Sequence, residues 1–291
     1  MSFDSSPQEM HILRAGSRSE EGTLVFLHAT GLNASAYRPL LSRLRFGGEV
    51  LVPSLRGHGA TTLPADPSKL TSWQVLADDV VGMLLAEDFA SPLVLAGHSA
   101  GAVTALLAAR RLPAAAVLMI EPVVLPRWIA VAAASPLRRA FVNRIQVAKQ
   151  AAARRQDFPS REAARNYYKP KAFFRNWDEE ALDGYLAEGL RDIEGGAELT
   201  CAPAWEAAMF RAQAHGFWPH LSEVIAQGKH VAILGSQGRT TFPVKVRPKA
   251  AAFGARLREE EGGHMLPLEN PDTVADWMSY EIKGEAPPTR V

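Results

Sequence analysis

Gly97-His98-Ser99-Ala100-Gly101 decides how this chain is read. It follows the apolar run Leu93-Val94-Leu95-Ala96 and leads into an Ala/Leu-rich stretch from Ala100 to Leu112. Strand, sharp turn and helix form the setting in which G-x-S-x-G makes a nucleophile elbow. The glycines answer a steric need, because the turn strains Ser99 and side chains two positions to either side would collide with it. The strain lifts the serine hydroxyl to the carboxyl end of a sheet, over a helix N-terminus that favours developing negative charge. The bland alternative is a small-residue turn with an incidental serine.

Outward from the elbow, short apolar runs alternate with amphipathic stretches. Candidate strands are His11–Arg14, Thr23–His28, Glu49–Pro53, Pro92–Ala96 and Ala116–Ile120, with helical patterns at Ala36–Arg45, Ser72–Asp88 and Ala100–Leu112. Near-continuous apolar strands separated by helices indicate a parallel sheet covered on both faces. From Arg127 to about Gln227 the pattern is helical without a convincing strand. That block holds Trp128, Phe141, Tyr167, Tyr168, Phe173, Phe174, Trp177, Tyr185, Trp205, Phe210, Phe217 and Trp218. Alternation resumes at His230–Leu234 and Phe253–Leu257, and a helix from Pro271 to about Ile282 closes the chain. Residues 1–126 and 228–291 therefore read as one core, interrupted by a helical cap at 127–227. The tail Gly284–Val291 reads as frayed.

Composition narrows the function. The 291 residues are 47% hydrophobic, enough for a large core, and 32 basic residues against 31 acidic leave no electrostatic case for nucleic acid. Cys201 is the only cysteine, which excludes an internal disulfide and a cysteine-based metal cluster. The start, Met1 to Pro7, lacks a basic and then apolar signal pattern. The apolar stretch Ala114 to Ala134 is broken by Glu121, Pro122, Pro126 and Arg127, so no membrane span is expected. A soluble cytoplasmic protein is the expectation. With no metal-ligand spacing and no glycine-rich phosphate loop, no cofactor is expected.

A serine hydroxyl needs a base, and the base needs an orienting group. Of eight histidines, His264 sits on the glycine-flanked loop after the last candidate strand, Gly262-Gly263-His264-Met265. His98 adjoins the serine but points away in an elbow; His28 and His58 read as structural, and His11, His215, His220 and His230 lack catalytic context. Acyl transfer also needs donors for an oxyanion. The Ala100 amide is one, and the Thr30 amide, in the turn His28-Ala29-Thr30-Gly31 after a strand, is the natural second.

In chain order, these segments resemble the alpha/beta-hydrolase superfamily with a helical cap. His28–Gly31 is similar to its His-Gly oxyanion turn, and Leu55-Arg56-Gly57-His58-Gly59 to its Asp-x-Arg-Gly-His-Gly segment. Gly97–Gly101 is similar to its elbow, and Gly263-His264 through Pro271 to its histidine loop. The resemblance implies a mostly parallel eight-stranded sheet flanked by helices, with the nucleophile after strand five and the cap after strand six. Ala29 replaces a usual glycine, and Ser54 stands where the family often has Asp. The larger departure is the acid. The family's Gly-x-x-Asp after strand seven reads here Gly235-Ser236-Gln237-Gly238, with no carboxylate near. Glu121, after six apolar residues at the end of strand six, is the candidate replacement, since a carboxylate buried there needs a partner such as an imidazole N–H. Some subgroups, including haloalkane-dehalogenase-like members, carry their acid in a similar segment. The alternatives are a Glu121 held by Arg127 or capping a turn, with Glu206 or Glu260 on the histidine.

Two readings share this fold. One is a serine hydrolase acting on a carboxylic ester or similar acyl compound through Ser99, His264 and Glu121. The other is a non-catalytic small-molecule-binding protein with a decayed triad. A carboxylate-nucleophile chemistry is opposed by Ser99 itself. The aromatic cap residues point to an apolar acyl or alcohol pocket or, more blandly, to cap packing. Arg154, Arg155, Arg165, Lys169 and Lys171, interspersed with acids, read as a solvated helix face. The substrate and the oligomeric state are not legible.

Overall fold

The computed structural model describes residues 3–6, 9–135 and 145–284; Phe141 and the tail from residue 285 lie outside the described residues. In chain order the strands are β1 (Phe3–Ser6), β2 (Ile12–Ala15), β3 (Thr23–Leu27), β4 (Glu49–Pro53), β5 (Leu93–His98) and β6 (Ala114–Ile120). They continue with β7 (Asp157–Phe158), β8 (Leu190–Ile193), β9 (Gly196–Leu199), β10 (His230–Ser236) and β11 (Arg256–Glu260). Eight of them build one sheet in the order β1-β2-β4-β3-β5-β6-β10-β11. In that sheet only β2 pairs antiparallel, with β1 and β4; every other pairing is parallel.

The period-two alternation of each strand divides the core. Val25, Leu27 and Leu95 face one layer, where the helices Gln74–Ala86, Ala100–Ala109 and Phe217–Ala226 pack. Leu24, Phe26 and Ala96 face the other, with the helices Arg38–Ser42 and Pro271–Lys283. With both faces covered, all five residues of β3 and all six of β5 are buried. Ser99 follows β5, Glu121 follows β6, Thr240 and Thr241 follow β10, and His264 follows β11. Because these four parallel strands are consecutive neighbours, their carboxyl ends deliver the four segments to one place.

Three expectations change. The block from Arg127 is not purely helical, because β7, β8 and β9 form a separate antiparallel sheet in the order β7-β9-β8. Strands of two to four residues are too short to show periodicity, and Glu194-Gly195 closes the β8–β9 hairpin. The helix Phe217–Ala226, read as part of the cap, packs on the helix Ala100–Ala109 and on β10, so it is the core crossover helix. The last strand is Arg256–Glu260, not Phe253–Leu257, because Phe253 caps the helix Arg247–Ala252. As an edge strand, β11 bonds to β10 alone, and four of its five residues are charged.

Candidate active site

Ser99 adopts φ 57° and ψ −116°, a strained backbone at the end of β5. The flanking glycines are a packing necessity. A Cβ on Gly97 would lie 2.5 Å from the Gly101 carbonyl, and one on Gly101 would lie 2.1 Å from the Leu27 carbonyl. Glu121 is the only other non-glycine residue with positive φ, 49°, among the described residues. Its amide still bonds to the Leu234 carbonyl at 2.8 Å, so the chain turns out of the sheet only after that bond.

The structure brings Ser99, His264 and Glu121 together. His264 Nε2 lies 2.9 Å from Ser99 Oγ, and His264 Nδ1 lies 3.2 Å from Glu121 Oε2. Glu121 is fully buried, Ser99 is 7% exposed, and the His264 side chain is 21% exposed. Burial alone would raise the Glu121 pKa. Hydrogen bonds from His264, the Ser236 amide (2.5 Å) and Thr240 Oγ1 (2.8 Å) outweigh it, holding the carboxyl below its ordinary value. Glu121 is therefore ionised at neutral pH. The side chain of Arg127, the alternative partner, lies outside the described residues. Glu206, the alternative acid, pairs elsewhere, with Arg154.

In the turn after β3, the Gly31 amide donates to His58 Nε2 (3.0 Å), the Ala29 amide to Tyr37 Oη (3.2 Å) and the Leu32 amide to the Ala29 carbonyl (3.1 Å). The Thr30 amide has no acceptor among the described residues. Ala100 is the first residue of its helix, so its amide has no intrahelical acceptor. His98 does point away from the serine. Its Nε2–H donates to the His264 carbonyl (2.7 Å) while Nδ1 accepts from the Tyr37 hydroxyl (2.7 Å). Ala29, Tyr37, His98 and His264 thus form one hydrogen-bonded line from the turn after β3 to the loop after β11. Burial holds His98 and His28 below the ordinary histidine value and pushes His58 down to about 3, so all three are neutral. Neutrality lets His58 Nε2 accept the Gly31 amide and His28 Nε2 accept the Leu55 amide at 2.9 Å.

Sequence reasoning missed Thr240, Thr241, Tyr37 and Arg247. Thr240-Thr241 was visible as two hydroxyls where an acid was sought; Tyr37 and Arg247 left no local signal. Arg247, 3% exposed, donates through Nη2 to the Ser236 carbonyl (2.6 Å) and through Nε to the Phe242 carbonyl (3.2 Å). It pins both ends of the loop carrying the two threonines. At Gly238, where the family acid was expected, a Cβ would lie 2.5 Å from the Gly262 carbonyl. A side chain there would force the Gly262 backbone to move.

The insertion also differs from its sequence reading. Arg154 is not on a solvated face: it ion-pairs with Glu206 and donates to the hydroxyls of Tyr168 (3.1 Å) and Tyr185 (2.6 Å). Glu206 in turn packs on Gly31, where a Cβ would meet its Oε1 at 2.6 Å. Phe158, Tyr167, Tyr168, Phe173, Phe174, Trp177 and Tyr185 stack chiefly on one another, so they hold the insertion together and do not line a pocket as a group. Ser54, in the place of the family's Asp, donates to Glu188 from the helix Glu179–Gly189; Glu188 also accepts the Ser35 amide at 2.8 Å. The carboxylate missing from the motif arrives from the insertion. A cavity of about 700 Å³ lined by Val123, Leu125, Phe217, Trp218 and Phe253 lies beyond Glu121, and neither Ser99 nor His264 lines it.

The model for the alpha/beta hydrolase family matches residues 24–277. The chain belongs to that family. Among solved structures, this alpha/beta hydrolase is similar to E-2-(acetamidomethylene)succinate hydrolase, at 19% identity and a TM-score of 0.75, covering 97% of this chain and 100% of that one. It is also similar to the peroxisomal alpha-beta-hydrolase Lpx1 of Saccharomyces cerevisiae, at 18% identity and a TM-score of 0.74, over 97% and 87%. A thioesterase domain from the curacin biosynthetic pathway follows at 16% and 0.70, over 96% and 99%. At these identities the likeness is one of fold. No curated protein matches the chain. Among the described residues, no helix of this alpha/beta hydrolase is long and apolar enough to cross a membrane, and no group of three or more His, Cys, Asp or Glu could hold a metal ion.

Proposed function

We propose that this alpha/beta hydrolase is a serine hydrolase that cleaves a carboxylic ester or a similar acyl compound through an acyl-enzyme on Ser99. The observation that carries this reading is the unbroken hydrogen-bonded line from Ser99 Oγ through His264 to an ionised, fully buried Glu121. Because Glu121 can only accept, His264 carries its proton on Nδ1 and presents a bare Nε2 to the serine. As Ser99 Oγ attacks the acyl carbon, its proton passes to Nε2, and the imidazolium that forms lies against the carboxylate. The carbonyl oxygen becomes an oxyanion facing the Thr30 and Ala100 amides. Nε2–H then protonates the departing alkoxide; water attacks the acyl-enzyme by the same route and releases the acid. A decayed site would have no reason to keep a buried carboxylate, two strained residues and an uncommitted amide in register.

The insertion at 127–216 is the proposed cap, and we assign it the choice among acyl compounds or esters. The test is a panel of p-nitrophenyl esters of graded chain length, run beside fluorophosphonate labelling with Ser99→Ala as control. Hydrolysis and labelling that both vanish in Ser99→Ala support the reading. A native protein that neither turns over any ester nor takes label at Ser99 would leave the binding-protein reading in its place.

A further inference from the structure

The loop after β10 carries no acid, yet it is built into the catalytic geometry. Thr240 Oγ1 lies 2.8 Å from both Glu121 carboxylate oxygens, and the Thr241 amide donates to Oε2 at 3.1 Å. The Thr241 hydroxyl does something different. Its Oγ1 stands 3.1 Å from His264 Nδ1 and 2.9 Å from the main-chain carbonyl of Glu121.

Proton bookkeeping gives these contacts a direction. The Glu121 carboxylate is an acceptor only, so the proton between it and His264 belongs to Nδ1. The Thr241 hydroxyl therefore cannot donate to Nδ1. Its own proton goes to the Glu121 carbonyl, leaving a lone pair aimed at Nδ1–H. That proton is shared between two acceptors, and the distances agree. A single charge-assisted N–H···O⁻ bond is typically about 2.7–2.9 Å, whereas here Glu121 Oε2 stands at 3.2 Å and Thr241 Oγ1 at 3.1 Å.

We propose that Thr241 is a positioning residue whose hydroxyl is the second acceptor for His264 Nδ1–H, holding the imidazole in the tautomer that leaves Nε2 free to face Ser99. This rests on the serine-hydrolase reading above. Thr240 supports the carboxylate; Thr241 supports the imidazole. Where the family places an acid after this strand, the chain keeps an acceptor for the same proton, a neutral one, and draws the charge from the neighbouring strand.

The test compares wild type, Thr241→Val and Thr241→Ser by fluorophosphonate labelling of Ser99, by ester kinetics, and by the proton resonance of His264 Nδ1–H. Valine keeps the shape and removes the acceptor. The labelling rate and kcat should fall roughly tenfold, the size expected for one hydrogen bond, with KM unchanged. The Nδ1–H resonance should shift. Thr241→Ser should return both the rate and the resonance to near wild type. A merely structural role would leave the resonance in place. Wild-type labelling with an unmoved resonance in Thr241→Val, or a Thr241→Ser as impaired as the valine variant, overturns the proposal. Should Thr241→Val not fold, Thr241→Ala repeats the measurement without a branched replacement. A wild type whose Ser99 refuses the label overturns the hydrolase reading and this one with it. A labelled wild type beside an indifferent Thr241→Val overturns only the role of Thr241.

Discussion

At the residue scale, the site is decided by which side chains are forced to be where they are. Ser99 and Glu121 both hold positive φ without being glycine, a cost the surrounding hydrogen bonds and packing must sustain. For a triad acting as a unit, His264→Ala should lower kcat by about four orders of magnitude or more, checked on the best ester of the panel. Turnover near native in that variant would remove His264 from the mechanism. The crowded position at Gly238 yields a sharper prediction. Glu121→Gln should slow turnover strongly, and adding Gly238→Asp should not restore it. The new Cβ would run into the Gly262 carbonyl, and the loop that must move is the one holding His264. Recovery of activity in the double variant would show that this position accepts an acid after all.

At the element scale, the loop between β10 and the helix Arg247–Ala252 is held from beneath by a buried guanidinium. Arg247 also pairs with Glu259 on β11 at 2.8 Å, so it ties the loop, its own helix and the edge strand together. Arg247→Leu would keep the volume but leave the Ser236 and Phe242 carbonyls unpaired. We expect a loss of about 2–4 kcal/mol in denaturant unfolding, the range for unsatisfied buried polar groups. Ser99 labelling should slow in the protein that remains folded, because Thr240 and Thr241 lose their anchor. Unchanged labelling would separate this loop from the site. The elements around the elbow were legible in the sequence because β5, its turn and the following helix lie within about twenty consecutive residues. The small sheet β7-β9-β8 was not, since its strands are too short to carry a period and β7 depends on a partner far along the chain.

At the scale of the whole molecule, buried titratable groups set the response to acid. Burial pushes His58 and His215 down to about 3 from an ordinary value of 6.5. Below pH 6.5 the unfolded chain takes up protons that the folded protein refuses, so stability falls as pH drops from 6.5 toward 3. Glu188 works in a lower window. Burial would raise its pKa, but His11, Ser54 and the Ser35 amide bring it down to about 2 from 4.5. Its contribution is complete above pH 4.5 and is lost as pH falls toward 2. Because Glu188 joins the insertion to the core, Glu188→Gln should flatten the lower part of the curve of urea midpoint against pH, and His215→Gln the upper part. If neither variant changes the curve in its window, the acid response lies in other groups.

The local parts of this protein were determined by sequence alone: the elbow and its glycines, the turn His28–Gly31, the histidine loop and the alternation of strands and helices. Each is written in neighbouring residues, where backbone sterics and hydrophobic period act over a few positions. Ser54, Arg154 and Thr241 were settled only by the tertiary structure. Ser54 meets a carboxylate 134 positions away, Arg154 is neutralised by Glu206 at 52, and Thr241 meets His264 at 23. Glu121 is the intermediate case: the end of β6 singled it out, but 143 residues separate it from His264, and only the order β5-β6-β10-β11 brings them within hydrogen-bond reach. A buried charge is stable only beside its partner, and partners this far apart in sequence become neighbours only when the sheet has assembled.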